Sequence, residues 1–155
     1  MMFSGGCQCG AVRFTVVGKL GRASICHCRM CQKAFGGPFG ALVSARIAEV
    51  TWTRGDPRRF ASSNKVQRGF CGDCGTPLTF EYAGDWIDLS IFALDDPGVA
   101  PPSLQLSPEA RQGWIDHVGE IPVRDLSEGQ AGAAHYAGIV SNQHPDHDTE
   151  TWPER

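Results

Sequence analysis

Apolar and polar residues alternate along this chain in short runs, bounded by Gly, Pro, Asn and Asp, which is the pattern of half-buried strands rather than of helices. Residues 11–17 (AVRFTVV) alternate and are β-branched, predicting a strand that Gly18 and Gly21 end. Residues 39–43 (FGALV), 49–53 (EVTWT) and 59–62 read as further strands, and 65–70 as a segment leading to Cys71. Residues 76–82 and 86–92, separated by Ala83-Gly84-Asp85, predict a hairpin. Gly5-Gly6 reads as a turn, residues 28–35 as a helical turn or short helix broken by Gly36-Gly37-Pro38, and 108–111 as one more helical turn. No stretch keeps a 3.6-residue period for long, so a helical bundle is excluded and the chain is expected to be mainly β.

Composition changes this picture at the end of the chain. Residues 127–134 are small and polar, and 142–155 are rich in Asp, His, Glu and Pro. This predicts one domain over residues 1–126 and a polar tail over 127–155, loosely docked or disordered. The whole chain of 155 residues suits a single core, with 41% hydrophobic and 20% charged residues. A net charge of −3 argues against a general nucleic-acid binder. No segment approaches the roughly 20 apolar residues of a membrane helix, and the N-terminus lacks a basic start and an apolar run. A cytoplasmic protein is therefore expected.

The cysteines carry the chemistry. All seven fall in three groups: Cys7/Cys9, Cys26/Cys28/Cys31 and Cys71/Cys74. An odd number cannot pair completely as disulfides, and in a reducing compartment clustered thiols favour metal. Cys71-Gly72-Asp73-Cys74-Gly75 has the form of a zinc knuckle, in which a tight turn points backbone N–H groups at the sulfurs. A closed structural zinc site draws two ligands from each of two segments, which Cys7, Cys9, Cys71 and Cys74 satisfy. Cys26, Cys28 and Cys31 then form a second set with one position open, the usual form of a catalytic zinc. Spacing alone also allows Cys7/Cys9 to share a metal with two of the middle three. Three thiolates around one zinc sum to a charge of −1, a weak Lewis acid for water but suited to an incoming thiol, which zinc deprotonates. His27, between two cysteines, is expected to face outward or to be hydrogen-bonded. His135, His144 and His147 lie in the tail and have no assigned role.

Taken together, Gly6-Cys7-Gln8-Cys9-Gly10, residues 26–33 (CHCRMCQK) and residues 68–78 (RGFCGDCGTPL) resemble the glutathione-dependent formaldehyde-activating enzyme family, which includes centromere-protein-V-like proteins. The similarity extends from about Gly5 to Pro122 and takes in Trp52-Thr53-Arg54-Gly55, Leu94-Asp95-Asp96-Pro97 and Trp114-Ile115-Asp116-His117-Val118. It implies a β-tent of several antiparallel sheets organised by zinc. It implies two zinc ions per chain, one structural at Cys7, Cys9, Cys71 and Cys74 and one catalytic at Cys26, Cys28 and Cys31. The implied activity is that of a carbon–sulfur lyase acting on the adduct of a thiol, such as glutathione, with a small aldehyde, such as formaldehyde. The alternative is a non-enzymatic zinc module or a metal or redox sensor.

Overall fold

The computed structural model describes residues 1–124 and 136–152. The tail expectation therefore falls partly on residues outside the described ones, 125–135 and 153–155.

Among the described residues, ten strands and one short α-helix follow in chain order. They are β1 (Met2–Gly6), β2 (Arg13–Val17), β3 (Ala23–Cys26), α1 (Arg29–Phe35), β4 (Gly40–Arg46), β5 (Val50–Arg54), β6 (Arg58–Ala61), β7 (Gln67–Phe70), β8 (Pro77–Glu81), β9 (Trp86–Ser90) and β10 (Leu104–Leu106). A small antiparallel sheet has the order β1-β2-β5, and a larger one runs β10-β3-β4-β9-β8-β7-β6. The chain is mainly β, as its alternation predicts. One pairing departs from the all-antiparallel expectation, because β10 lies parallel to β3. The chain returns to that edge through the extended Pro101-Pro102 segment rather than a hairpin, which permits a parallel partner.

Gly5-Gly6 also departs from expectation. These residues end strand β1, with Gly5 opposite Phe14 and Gly6 opposite Arg13. A Cβ on Gly5 would sit 2.3 Å from the Ala93 carbonyl oxygen and 2.6 Å from the Phe14 ring. Glycine is there because a neighbouring backbone passes against β1, bridging Gly5 to Leu94.

The inward residues of both sheets share one core. Phe14, Val16, Val43, Leu78 and Leu89 are fully enclosed, and Phe14 meets Trp52 edge to face at 5.6 Å. Burying each such side chain stabilises the fold by about 1.5–3 kcal/mol. Beside this core lies a buried ion pair. The Arg13 guanidinium, 3% exposed, donates to both Asp95 oxygens at 2.8 and 2.6 Å, and Ser4 Oγ donates to the same carboxylate. Burial resists ionisation of Asp95, but Arg13 and Ser4 outweigh it and hold the carboxyl below its ordinary value.

The far end of the chain packs on the small sheet. Arg13 Nε donates to Asp148 at 2.8 Å, and Arg54 Nη2 donates to the Thr149 carbonyl at 2.7 Å. The His144 backbone N–H donates to the Gln8 carbonyl at 2.7 Å, and Trp152 Nε1 donates to the Cys9 carbonyl at 2.7 Å. His144 is itself buried, its ring against Gly10. No helix among the described residues is long and apolar enough to cross a membrane.

Two outcomes are expected. Asp95→Asn leaves the buried Arg13 with Asp148 as its only carboxylate partner among the described residues and lowers unfolding stability by about 3 kcal/mol at pH 7. The native Asp95 carboxyl is depressed, so its contribution is complete above the ordinary value near pH 4 and fades as pH falls through the native one. Urea titrations should show the gap between wild type and Asp95→Asn constant from pH 6 to 8 and closing below about pH 4. Ending the chain at residue 140 removes the contacts to Gln8, Cys9, Arg13 and Arg54 and should cost about 2 kcal/mol in the same measurement.

Candidate metal centres

Hairpin geometry builds the first cysteine group. Cys7 and Cys9 lie in the connection from β1 to β2, and Cys71 and Cys74 in the connection from β7 to β8. One connection belongs to each sheet, so the group sits where the two sheets meet. The four sulfurs lie within 4.8 Å of one another, with Cys7 to Cys9 at 3.6 Å and Cys9 to Cys71 at 3.8 Å. A disulfide would need about 2.05 Å. Four sulfurs around a zinc at about 2.3 Å stand about 3.8 Å apart, so the arrangement fits a tetrahedral ion.

Backbone amides face these sulfurs, as the knuckle motif predicts. The N–H of Val12 donates to Cys7 Sγ at 3.2 Å and that of Asp73 to Cys71 Sγ at 3.4 Å. Burial pushes the Cys7 and Cys9 thiols up. Burial also opposes the Cys74 thiolate, but the Thr76 hydroxyl at 3.1 Å and nearby amides bring it down to about 6. Thiols held this close to one another favour a cation that takes them as thiolates.

The second group is assembled around α1. Cys26 ends β3, Cys28 caps the helix by accepting from the Cys31 N–H at 3.4 Å, and Cys31 lies in its first turn. Their sulfurs also fall within 4.8 Å of one another. Cys31 is buried, whereas Cys26 and Cys28 are partly exposed, which leaves one side of the group accessible. Burial pushes the Cys31 thiol up to about 12, against the opposing effect of Arg68. At Cys28 burial is outweighed by the N–H of Cys31 and neighbouring thiols, and its value is lowered.

The helix is fixed from both sides. Gly36 closes it in the left-handed conformation, φ 61°, and donates to the Gln32 carbonyl. Gln32 Nε2 donates to the carbonyls of His27 at 2.8 Å and Ala110 at 3.0 Å. Gly40 on β4 allows the helix to approach, since a Cβ there would lie 2.9 Å from the Phe35 ring and 3.2 Å from the Cys31 Cβ.

His27 does not face outward. It is fully buried, its Nε2 donating to Gln105 Oε1 at 3.0 Å and its ring edge-on to Phe39 at 5.7 Å. With Nε2 as donor, Nδ1 is left without a partner among the described residues. Trp114 is half exposed and lines an open groove of about 460 Å³ with Arg29, Gln32, Lys33 and Gln112. His117 pairs with Glu120 on the surface at 3.1 Å. His144 and His147 join no cysteine group, and His135 lies outside the described residues.

Arg68 is the site residue that the spacing of cysteines does not reveal. It sits on β7, 3% exposed, with Nη2 donating to Cys31 Sγ at 3.3 Å. Its one sequence signal is its place three residues before Cys71, inside the motif itself.

Gly40→Ala is expected to push α1 off β4 and cost about 1–3 kcal/mol of stability. It should also loosen metal at Cys26, Cys28 and Cys31 while leaving the four-cysteine group intact, read by zinc content after dialysis against a mild chelator.

Comparison with known proteins agrees with this geometry. The sequence matches the family described as glutathione-dependent formaldehyde-activating enzyme over residues 2–112. A protein of Schizosaccharomyces pombe named an uncharacterized lyase is 31% identical over 80 residues, covering 52% of this chain and 58% of the relative. This chain thus matches little more than half the length of that curated relative. A crystal structure of a Rhodobacter sphaeroides protein superposes with a TM-score of 0.54 at 20% identity, over 66% of this chain and 98% of the other, and shares the fold. With both cysteine groups inside the matched span, the chain belongs to the glutathione-dependent formaldehyde-activating enzyme family.

Proposed function

We propose that this protein is a zinc-dependent carbon–sulfur lyase that makes or breaks the adduct of a glutathione-type thiol with a small aldehyde. The observation that carries this reading is the accessible side of the Cys26, Cys28 and Cys31 group: three converging sulfurs, two of them partly exposed. Family membership and the lyase name of the yeast relative support the same class of reaction. The four-cysteine group is the structural site in this reading, because the chain itself supplies all four ligands of a tetrahedral ion.

A zinc bound at Cys26, Cys28 and Cys31 supplies a Lewis-acid position that favours the thiolate form of an incoming thiol. Cys28, as the N-cap of α1, and Cys31, in its first turn, would hold that ion from one short helix. Gln32 keeps the helix in place through the His27 and Ala110 carbonyls. The chain thus contributes proximity and a preset geometry. In the forward direction the sulfur–carbon bond forms at the aldehyde carbon, its carbonyl π bond breaks onto oxygen, and the thiol proton ends on that oxygen. The reverse reaction releases thiol and aldehyde. Seven unpaired cysteines suit a reducing cytoplasm, where a small thiol is abundant.

Exchange NMR with glutathione and carbon-13 formaldehyde tests the reading. Zinc-loaded wild type is expected to speed adduct interconversion at least about tenfold over buffer, a modest demand on positioning alone. Cys28→Ser should abolish the effect while the protein remains folded. Full zinc loading at both groups with no acceleration contradicts the assignment and favours a non-enzymatic zinc module.

A further inference from the structure

Arg68 is a buried cation for which the described residues supply no carboxylate. Its guanidinium is 3% exposed and enters no ion pair with Asp or Glu. Nε donates to the Ser62 hydroxyl at 2.9 Å and Nη2 to Cys31 Sγ at 3.3 Å. Nη1 is buried with no partner among the described residues. Its Cζ lies over the Phe80 ring, 4.8 Å from the centroid, and 6.0 Å from that of Phe35. Two aromatic rings and a neutral hydroxyl do not balance a full buried charge, and arginine does not neutralise by losing its proton. The group able to balance it is the cysteine set that Nη2 touches.

The arithmetic of charge closes at this point. Three thiolates and a divalent ion carry −1, and Arg68 carries +1. We propose that Arg68 is the built-in counter-cation of the three-cysteine centre, holding Cys31 in line and cancelling the excess charge so that an anionic fourth ligand is admitted. Arg68 acts through Cys31 and is therefore a positioning residue. The proposal rests on the metal reading given under Proposed function. It differs from the other buried arginine, since Arg13 has two carboxylates. The strand that carries Arg68 runs on to Cys71 of the four-cysteine group, so one strand presents a charge to one centre and a ligand to the other.

Metal titration of the full chain tests this. Wild type, Arg68→Met and Arg68→Lys are compared by zinc competition with a chromophoric chelator, with the four-cysteine centre as internal reference. The Met variant should lose at least about tenfold in affinity at the second centre, as when a group supporting a metal ligand is removed. The reference centre should not change. The Lys variant, which keeps the charge, should recover most of the loss. In the cobalt-substituted protein the sulfur-to-metal charge-transfer bands should shift in the Met variant and remain near wild type in the Lys variant.

Unchanged affinity and bands in the Met variant overturn the proposal, as does an equal loss in both variants. If the Met variant does not fold, the Lys variant decides: retention of both metals supports the proposal, and loss of the second from a folded protein overturns it. Absence of a second metal from wild type itself overturns the metal reading, which is distinct from a wild type that binds two and is indifferent to position 68.

Discussion

Sulfur atoms that would repel one another as anions are brought within 4.8 Å by segments remote in sequence, and this convergence is the constraint on which the rest of the molecule depends. Four of them come from two hairpin connections, one from each sheet. A divalent ion held there would convert repulsion into a cross-link closing a long loop between Cys9 and Cys71. Hydrophobic contacts of Phe14, Val16, Leu78 and Leu89 join the two sheets in one core. The cysteine group fixes their ends. In the proposed metal-bound state the two act together, and neither sheet's terminal hairpin is free to drift.

The two centres differ in how many sulfurs the chain brings together and in what holds them. The four-cysteine group is surrounded by its own knuckle and by the segment over 141–152, which reaches Gln8 and Cys9. The three-cysteine group has one buried and two partly exposed members, and a short helix rather than a sheet edge fixes its geometry. Four sulfurs complete a tetrahedral set and suit permanence, whereas three leave room for exchange of a ligand, which is the division of roles proposed for them. Arg68 lies on the protein side of the open group, where water does not screen it.

What could be read from sequence follows the range of the interactions concerned. Strands β2, β4, β5, β6, β8 and β9 were legible as short apolar or alternating runs, as was the short helix beside Cys31, because period and capping are local properties; residues 65–70 read only as a segment leading to Cys71, and most of them form β7. The cysteine groups were legible because metal ligands come in closely spaced pairs. Strand β1 was hidden by its two glycines, which serve a neighbouring backbone and not a turn. Strands β3 and β10 are four and three residues long, and β10 exists only through its parallel partner. Arg68 against Cys31, His27 against Gln105, and the packing of His144 on Gly10 each join residues far apart in the chain. No local pattern marks such pairs.

Native mass spectrometry of protein purified without oxygen tests the central claim most directly. Binding of metal by both cysteine groups predicts a folded species heavier than the polypeptide by two zinc ions, with no mass deficit from disulfides. A compact species at the mass of the bare, fully reduced chain, unfolding no more easily after chelator treatment, would contradict it.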